Sequence, residues 1–230
     1  SWEEVVHLAK EVEKAGATII NTGIGWHEAR IPTIGTMVPR GAFSWVTNKL
    51  KGEVSIPLVT TNRINTPDIA ESIISKGDAD IVSMARPMLA DPHFVNKAKN
   101  GKASSINVCI GCNQACLDHV FKNKIASCLV NPYACHETEL TSVDTLIKKK
   151  IAIIGAGPAG VSCAIESAKR GYEVHLYEKK SEIGGQFNLA KSIPGKEEFH
   201  ETIRYFNKMI EKYKVNLYLN TECDSEFFKK

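Results

Sequence analysis

The stretch Lys150-Ile-Ala-Ile-Ile-Gly-Ala-Gly-Pro-Ala-Gly160 decides the fold of the second half of the chain. Ile151–Ile154 is a short apolar run of the kind that forms a buried strand. Gly155, Gly157 and Gly160 follow in GxGxxG spacing, Val161–Arg170 reads as a helix stopped by Gly171, and Tyr172–Tyr177 reads as the next strand, ending at Glu178. In such a unit the glycines allow a tight turn and let the backbone approach a pyrophosphate. The helix N-terminus faces the negative charge, and the acid can accept from ribose hydroxyls. A bare GxGxxG is a weak signal. The succession strand, glycines, helix, strand, acid predicts the start of a Rossmann-like domain for an adenine dinucleotide. A further strand is expected at Val215–Leu219, and Cys163, among Ala164, Ile165 and Ala168, is expected to be a small core residue, as is Cys223.

Just upstream, the run CIGCNQACLDHVFKNKIASC offers Cys109, Cys112, Cys116 and Cys128. Four soft thiolates, three clustered and one remote, suit an iron–sulfur cluster. Structural zinc also takes four thiolates, but usually as two CxxC pairs across a longer loop, and it remains open beside unligated buried thiols. A disulfide framework fits poorly, because seven cysteines are few for 230 residues and stand among helix-forming segments, which favours a reducing, cytoplasmic compartment. Cys135 lies outside the quartet and is expected to be structural, packed near it.

The first hundred residues repeat a βα pattern. Trp2, Val5, Val6, Ala9 and Val12 recur at helical spacing up to Gly16, and Ala17–Asn21 reads as a strand. A helix is expected within Ser44–Lys51, a strand at Ile56–Thr61, a helix over Asp68–Lys76 capped by Thr66, and a strand at Ala79–Met84. This implies a parallel sheet with right-handed crossovers, in a barrel or an open sheet, although three units cannot close a barrel.

Polar residues gather just after these strands, where barrel enzymes place their chemistry. Arg63 and Arg86 occupy equivalent strand ends and are expected to clamp a ligand phosphate, the plain alternative being a surface carboxylate for each. His27 and Arg30 flank Glu28 on the long loop after the first strand. A lone loop histidine is usually ordinary, but at a strand end an imidazole can donate to a carbonyl that gains negative charge, and Arg30 could grip a substrate anion.

Composition narrows the classes. With 43% hydrophobic and 24% charged residues the chain fits a globular protein; its net charge of +3 and scattered lysines give no nucleic-acid surface, and no apolar run reaches membrane-spanning length. The start, Ser1-Trp-Glu-Glu4, falls inside an expected helix, so the chain is expected to be an internal piece of a longer polypeptide, inactive alone and partnered by the missing parts.

Over nearly its whole length the sequence resembles the bacterial-type NADPH-dependent 2,4-dienoyl-CoA reductases. That family joins an old-yellow-enzyme-like flavin barrel to an iron–sulfur segment and a flavoprotein domain. The likeness rests on Gly25-Trp-His-Glu-Ala-Arg-Ile-Pro-Thr33, Val59-Thr-Thr-Asn-Arg63, Val82-Ser-Met-Ala-Arg-Pro87, the CIGCNQAC run, Cys128-Leu-Val-Asn-Pro132, the GAGPAG turn and Ser181-Glu-Ile-Gly-Gly-Gln-Phe187. The resemblance implies an α/β architecture. Residues 1–108 would be the C-terminal portion of an FMN-binding TIM barrel, 109–136 a 4Fe-4S segment, 137–149 a linker, and 150–230 the N-terminal part of an FAD-binding domain.

It also implies site roles. Arg63, Ala85 and Arg86 would bind FMN; His27 would act in catalysis, and His27, Glu28, Ala29 and Arg30 would line an acyl-CoA pocket. Cys109, Cys112, Cys116 and Cys128 would hold the cluster, and Gly155, Gly157, Gly160, Glu178, Gly185 and Gln186 would contact FAD. Electrons would pass from NADPH through FAD, cluster and FMN to the dienoyl thioester, in fatty-acid β-oxidation. A related enoate reductase with another activated alkene is the alternative. A non-enzymatic electron-transfer module, in which His27 would be inert, is the second.

Overall fold

Two separate three-stranded parallel sheets carry the chain, and the computed structural model describes residues 1–224 and 227. In the first sheet α1 (Trp2–Lys14) precedes β1 (Ile20–Asn21), α2 (Ser44–Leu50) precedes β2 (Leu58–Thr60), and α3 (Pro67–Ser75) precedes β3 (Ile81–Val82). Strand order follows sequence order, with Ile20 opposite Leu58, and Val59 opposite Ile81. The helices α4 (Arg86–Ala90) and α5 (Phe94–Lys99) follow.

These strands are shorter than their apolar runs. After β2 the chain turns sharply, because Asn62 and Arg63 adopt φ of 72° and 57°, a left-handed conformation that ends pairing. Before it, the amide of Leu58 donates to the carboxylate of Asp80 at 2.9 Å, so a side chain replaces a ladder partner. Only part of the apolar stripe of α1 packs: Ala9, with Trp2 and Val6, meets Leu50 and Leu58, while Val5 and Val12 are exposed. Thr66 does stand at the N-cap of α3, but its side chain makes no cap bond, and the helix instead begins on Pro67, whose missing N–H needs no partner.

The second sheet has the expected βαβ order. Lys150–Ile154 is β4, Pro158–Lys169 is α7 and Glu173–Tyr177 is β5; α8 (Phe187–Lys191) and α9 (His200–Lys212) then lead to β6 (Asn216–Tyr218). Between the sheets in sequence lies α6 (Leu117–Phe121). The core of this half joins Val161, Ala164 and Ile165 of α7 to Val174 and Leu176 of β5 and Met209 and Ile210 of α9. Full burial contributes roughly 1.5–3 kcal/mol for each large aliphatic side chain.

Cys163 falls two residues beyond Val161 and faces away from this stripe; it is exposed, which corrects the expectation of a core residue. Cys135 is also exposed and turns at φ 63°, so it does not pack into the interior. Part of the linker is laid down on α7's end, with Thr145 N–H donating to Arg170 O at 2.8 Å and Arg170 Nε donating to Val143 O at 3.0 Å. Among the described residues no helix is long and apolar enough to cross a membrane.

Candidate functional site

The residues after β2 and β3 surround a cavity of about 280 Å³, and Cys109 forms part of its wall. Arg63, Asn65, Ala85 and Arg86 all line it. The first sheet therefore opens its strand ends directly onto the cysteine segment. Arg63 is 4% exposed; its Nε donates to Val38 O at 2.8 Å and its Nη2 to Glu198 Oε1 at 2.6 Å. Arg86 Nη1 donates to Ile34 O at 3.0 Å and to Asn113 Oδ1 at 2.6 Å. Each guanidinium is thus fixed at the cavity wall by protein acceptors. Arg63 has found a carboxylate as well, buried and from the far half of the chain rather than on the surface. Asn65 is almost fully buried, and among the described residues its Oδ1 has no hydrogen-bond partner.

Cys109, Cys112, Cys116 and Cys128 line a second, adjoining cavity together with Arg86 and Asn113. Burial pushes the thiols of Cys109 and Cys112 up and that of Cys128 up to about 11. The amides of Gly111, Gln114 and Val130 hydrogen-bond to these sulfurs and oppose the rise. Among the described residues no three His, Cys, Asp or Glu side chains converge to hold one metal ion. Four thiols lining one cavity form a soft donor set of the kind that both iron–sulfur clusters and zinc take. Gly111 is required where the loop passes the arginine: at φ 64°, an added Cβ would lie 3.1 Å from Arg63 Nη1 and 3.1 Å from Thr36 Cα.

The cysteine segment is closed at its neck. Asn107 N–H donates to Asp91 Oδ2 at 2.8 Å, Asn107 Nδ2 donates to Val130 O at 2.7 Å, and Asn131 Nδ2 donates to Leu89 O at 2.8 Å.

In the second sheet the glycine turn is built as its spacing predicts. A Cβ on Gly160 would stand 1.9 Å from Gly155 O, so only glycine lets the helix approach the turn. Glu178 is buried; its Oε2 accepts from Ala156 N–H at 2.7 Å and its Oε1 from Lys180 N–H at 2.9 Å. The acid expected to face a ribose thus also fixes the turn. Gly184 N–H donates to Ala156 O at 2.7 Å, bringing Gly185 beside Gly157, while Gln186 is exposed at the start of α8.

His27, Glu28 and Arg30 are exposed on their loop and do not line the Arg63–Arg86 cavity. His27 Nε2 lies 3.9 Å from Glu28 Oε1, and its ring sits 5.3 Å from that of Phe121 on α6. Ala29 N–H donates to Trp26 O at 3.3 Å, shaping the turn. The loop is tied back to β2 by Asn62 Nδ2 donating to Ile24 O at 3.1 Å.

Sequence reasoning missed Asn65, Asn113 and Glu198. Glu198 Oε1 accepts from Arg40 Nε at 2.9 Å as well as from Arg63, and its Oε2 accepts from Asn65 Nδ2 at 3.2 Å. The same Asn65 Nδ2 donates to Cys109 O at 2.8 Å. Burial would raise the carboxyl of nearby Glu201, but Arg204 and Arg40 outweigh it and hold it below the usual range. Nothing in Gly195-Lys-Glu-Glu-Phe199 marks Glu198, because its partners stand far away in sequence.

Comparison with known proteins agrees with this division. Residues 2–105 match the NADH:flavin oxidoreductase / NADH oxidase family, and residues 149–229 match the pyridine nucleotide-disulphide oxidoreductase family. The chain is 43% identical over 219 residues to the metal reductase of Desulforamulus reducens, covering 95% of this chain and 33% of that protein. It is 37% identical over 227 residues to the bilirubin reductase of Mediterraneibacter gnavus, covering 97% of this chain and 35% of that protein. The solved complex of 2-naphthoyl-CoA reductase with 2-naphthoyl-CoA superposes with a TM-score of 0.95 at 34% identity, covering 100% of this chain and 35% of that chain. The chain therefore spans about a third of the length of the curated relatives it matches.

Proposed function

We propose, for a chain that matches the NADH:flavin oxidoreductase / NADH oxidase family over residues 2–105 and the pyridine nucleotide-disulphide oxidoreductase family over residues 149–229, that it is part of an NADPH-dependent 2,4-dienoyl-CoA reductase. The observation that carries this reading is the cavity wall shared by Arg63, Arg86 and Cys109, which sets a cavity of about 280 Å³ against the first cysteine of the quartet. When bound, FMN and FAD would supply two-electron chemistry and a 4Fe-4S cluster one-electron transfer between them.

The residues then divide the work. Arg63, Ala85 and Arg86 bind FMN, Arg63 with its charge already shared with Glu198. Cys109, Cys112, Cys116 and Cys128 ligate the cluster. Gly155, Gly157 and Gly160 cradle the FAD pyrophosphate, Glu178 anchors that turn beside the ribose, and Gly185 and Gln186 close over it. His27 donates a hydrogen bond to the thioester carbonyl as charge builds there, and Glu28, Ala29 and Arg30 line the acyl-CoA. A cytoplasmic setting, where thiols stay reduced, suits these groups.

The likeness to the 2-naphthoyl-CoA complex favours a second reading, a reductase of another conjugated acyl-CoA or enoate on the same relay. The test uses the full-length protein that carries this chain, purified without oxygen. Iron, sulfide and flavins are measured, and NADPH-driven reduction of a 2,4-dienoyl-CoA is compared with that of an aryl-CoA and a free enoate. Preference for either of the last two transfers the assignment to the second reading. Protein without iron–sulfur and flavin sinks both.

A further inference from the structure

Glu198, from the second sheet's half of the chain, bonds to Arg63 and Asn65, two residues in the wall of the cavity after β2 and β3. Its carboxylate is 10% exposed and accepts from two guanidinium groups at once, from Arg40 at 2.9 Å and from Arg63 at 2.6 Å. Its other oxygen accepts from Asn65 Nδ2, and that group also donates to the carbonyl of Cys109. A single negative charge from the dinucleotide-binding half therefore sits one side chain away from the first cysteine's peptide and directly on an arginine of the flavin cavity. Buried charges at such range are weakly screened, so this one opposes the arrival of further negative charge nearby.

We propose that Glu198 is a positioning residue that lowers the reduction potential of the group held by the cysteine quartet, making that potential depend on docking of the dinucleotide-binding half. The inference rests on the reading of the quartet as an iron–sulfur site. Adding one electron to that site makes it one unit more negative; Glu198 disfavours this change, while Arg40 and Arg63, left without their shared carboxylate, favour it. Glu201 supplies the contrast. It binds Arg40 and Arg204 in the same interface but makes no bond to Arg63 or Asn65.

The test compares Glu198→Gln, Glu198→Asp and Glu201→Gln in the full-length, anaerobically purified protein. Midpoint potentials of the cluster and of the FAD are followed by spectroscopic redox titration, with hydrogen exchange at the Cys109 peptide as a readout independent of activity. Glu198→Gln is expected to move the cluster potential to more positive values and leave that of FAD in place. Glu198→Asp, which keeps the charge, is expected to stay near the parent. An unchanged cluster potential in Glu198→Gln, or an equal shift in Glu201→Gln, overturns the proposal while leaving the function standing. A parent protein without a cluster overturns both.

Discussion

Asn65 donates through Nδ2 to the backbone carbonyl of Cys109 at 2.8 Å, fastening the first cysteine of the quartet to the segment that leaves β2. On the proposed iron–sulfur reading this bond would orient a ligand without touching the metal, and Asn65→Leu is expected to weaken iron retention by about 10–100-fold. Iron release to a chelator, timed in variant and parent, checks it; equal rates refute the link.

Gly160→Ala is expected to abolish the glycine turn's fit. With a Cβ placed 1.9 Å from Gly155 O, the helix must retreat, at a cost of about 1–3 kcal/mol typical of overpacking. Urea unfolding should register that loss, and FAD content should fall while iron content holds.

His27→Ala is expected to leave flavin and iron in place and to slow substrate reduction by about 10²–10⁴-fold, the usual contribution of a positioned proton donor. Single-turnover reduction by prereduced full-length protein measures the step. An unaltered rate would remove His27 from the reaction.

Glu201 gives a pH dependence with a defined sign. Its carboxyl is held below 4.5 in the folded protein, so its contribution to stability is complete above the unfolded value and is lost as pH falls through the folded one. Urea midpoints taken between pH 6 and about pH 3 should therefore fall less steeply in Glu201→Gln than in the parent.

Leu176 is fully buried in the second core, and Leu176→Ala is expected to cost about 2–5 kcal/mol. A drop under about 1 kcal/mol in urea titration would mean that the site collapses around the lost side chain.

Much of the architecture could be read from local signals. Gly160 and the apolar runs around it announce strand, turn and helix because their constraints act within a few residues, and the helix periodicities of Trp2–Lys14 and Pro158–Lys169 do the same. Strand lengths could not be read, because left-handed turns such as that at Asn62 and side-chain substitutions such as Asp80 on Leu58 decide where pairing stops. The spacing of the quartet pointed to its shared cavity, and the arginines to theirs. Glu198 was invisible, since a lone glutamate gains meaning only when folding carries it to Arg40, Arg63 and Asn65. Cys163 misled because its small, apolar neighbours in sequence lie on another face of the same helix.

The neck formed by Asn107, Val130, Asn131 and Leu89 has a consequence for repair. The bonds that close it belong to the scaffold and not to the sulfurs. On the proposed iron–sulfur reading, oxygen that bleaches the centre should leave behind an emptied mould that fresh iron and sulfide can rebuild without refolding the rest of the chain.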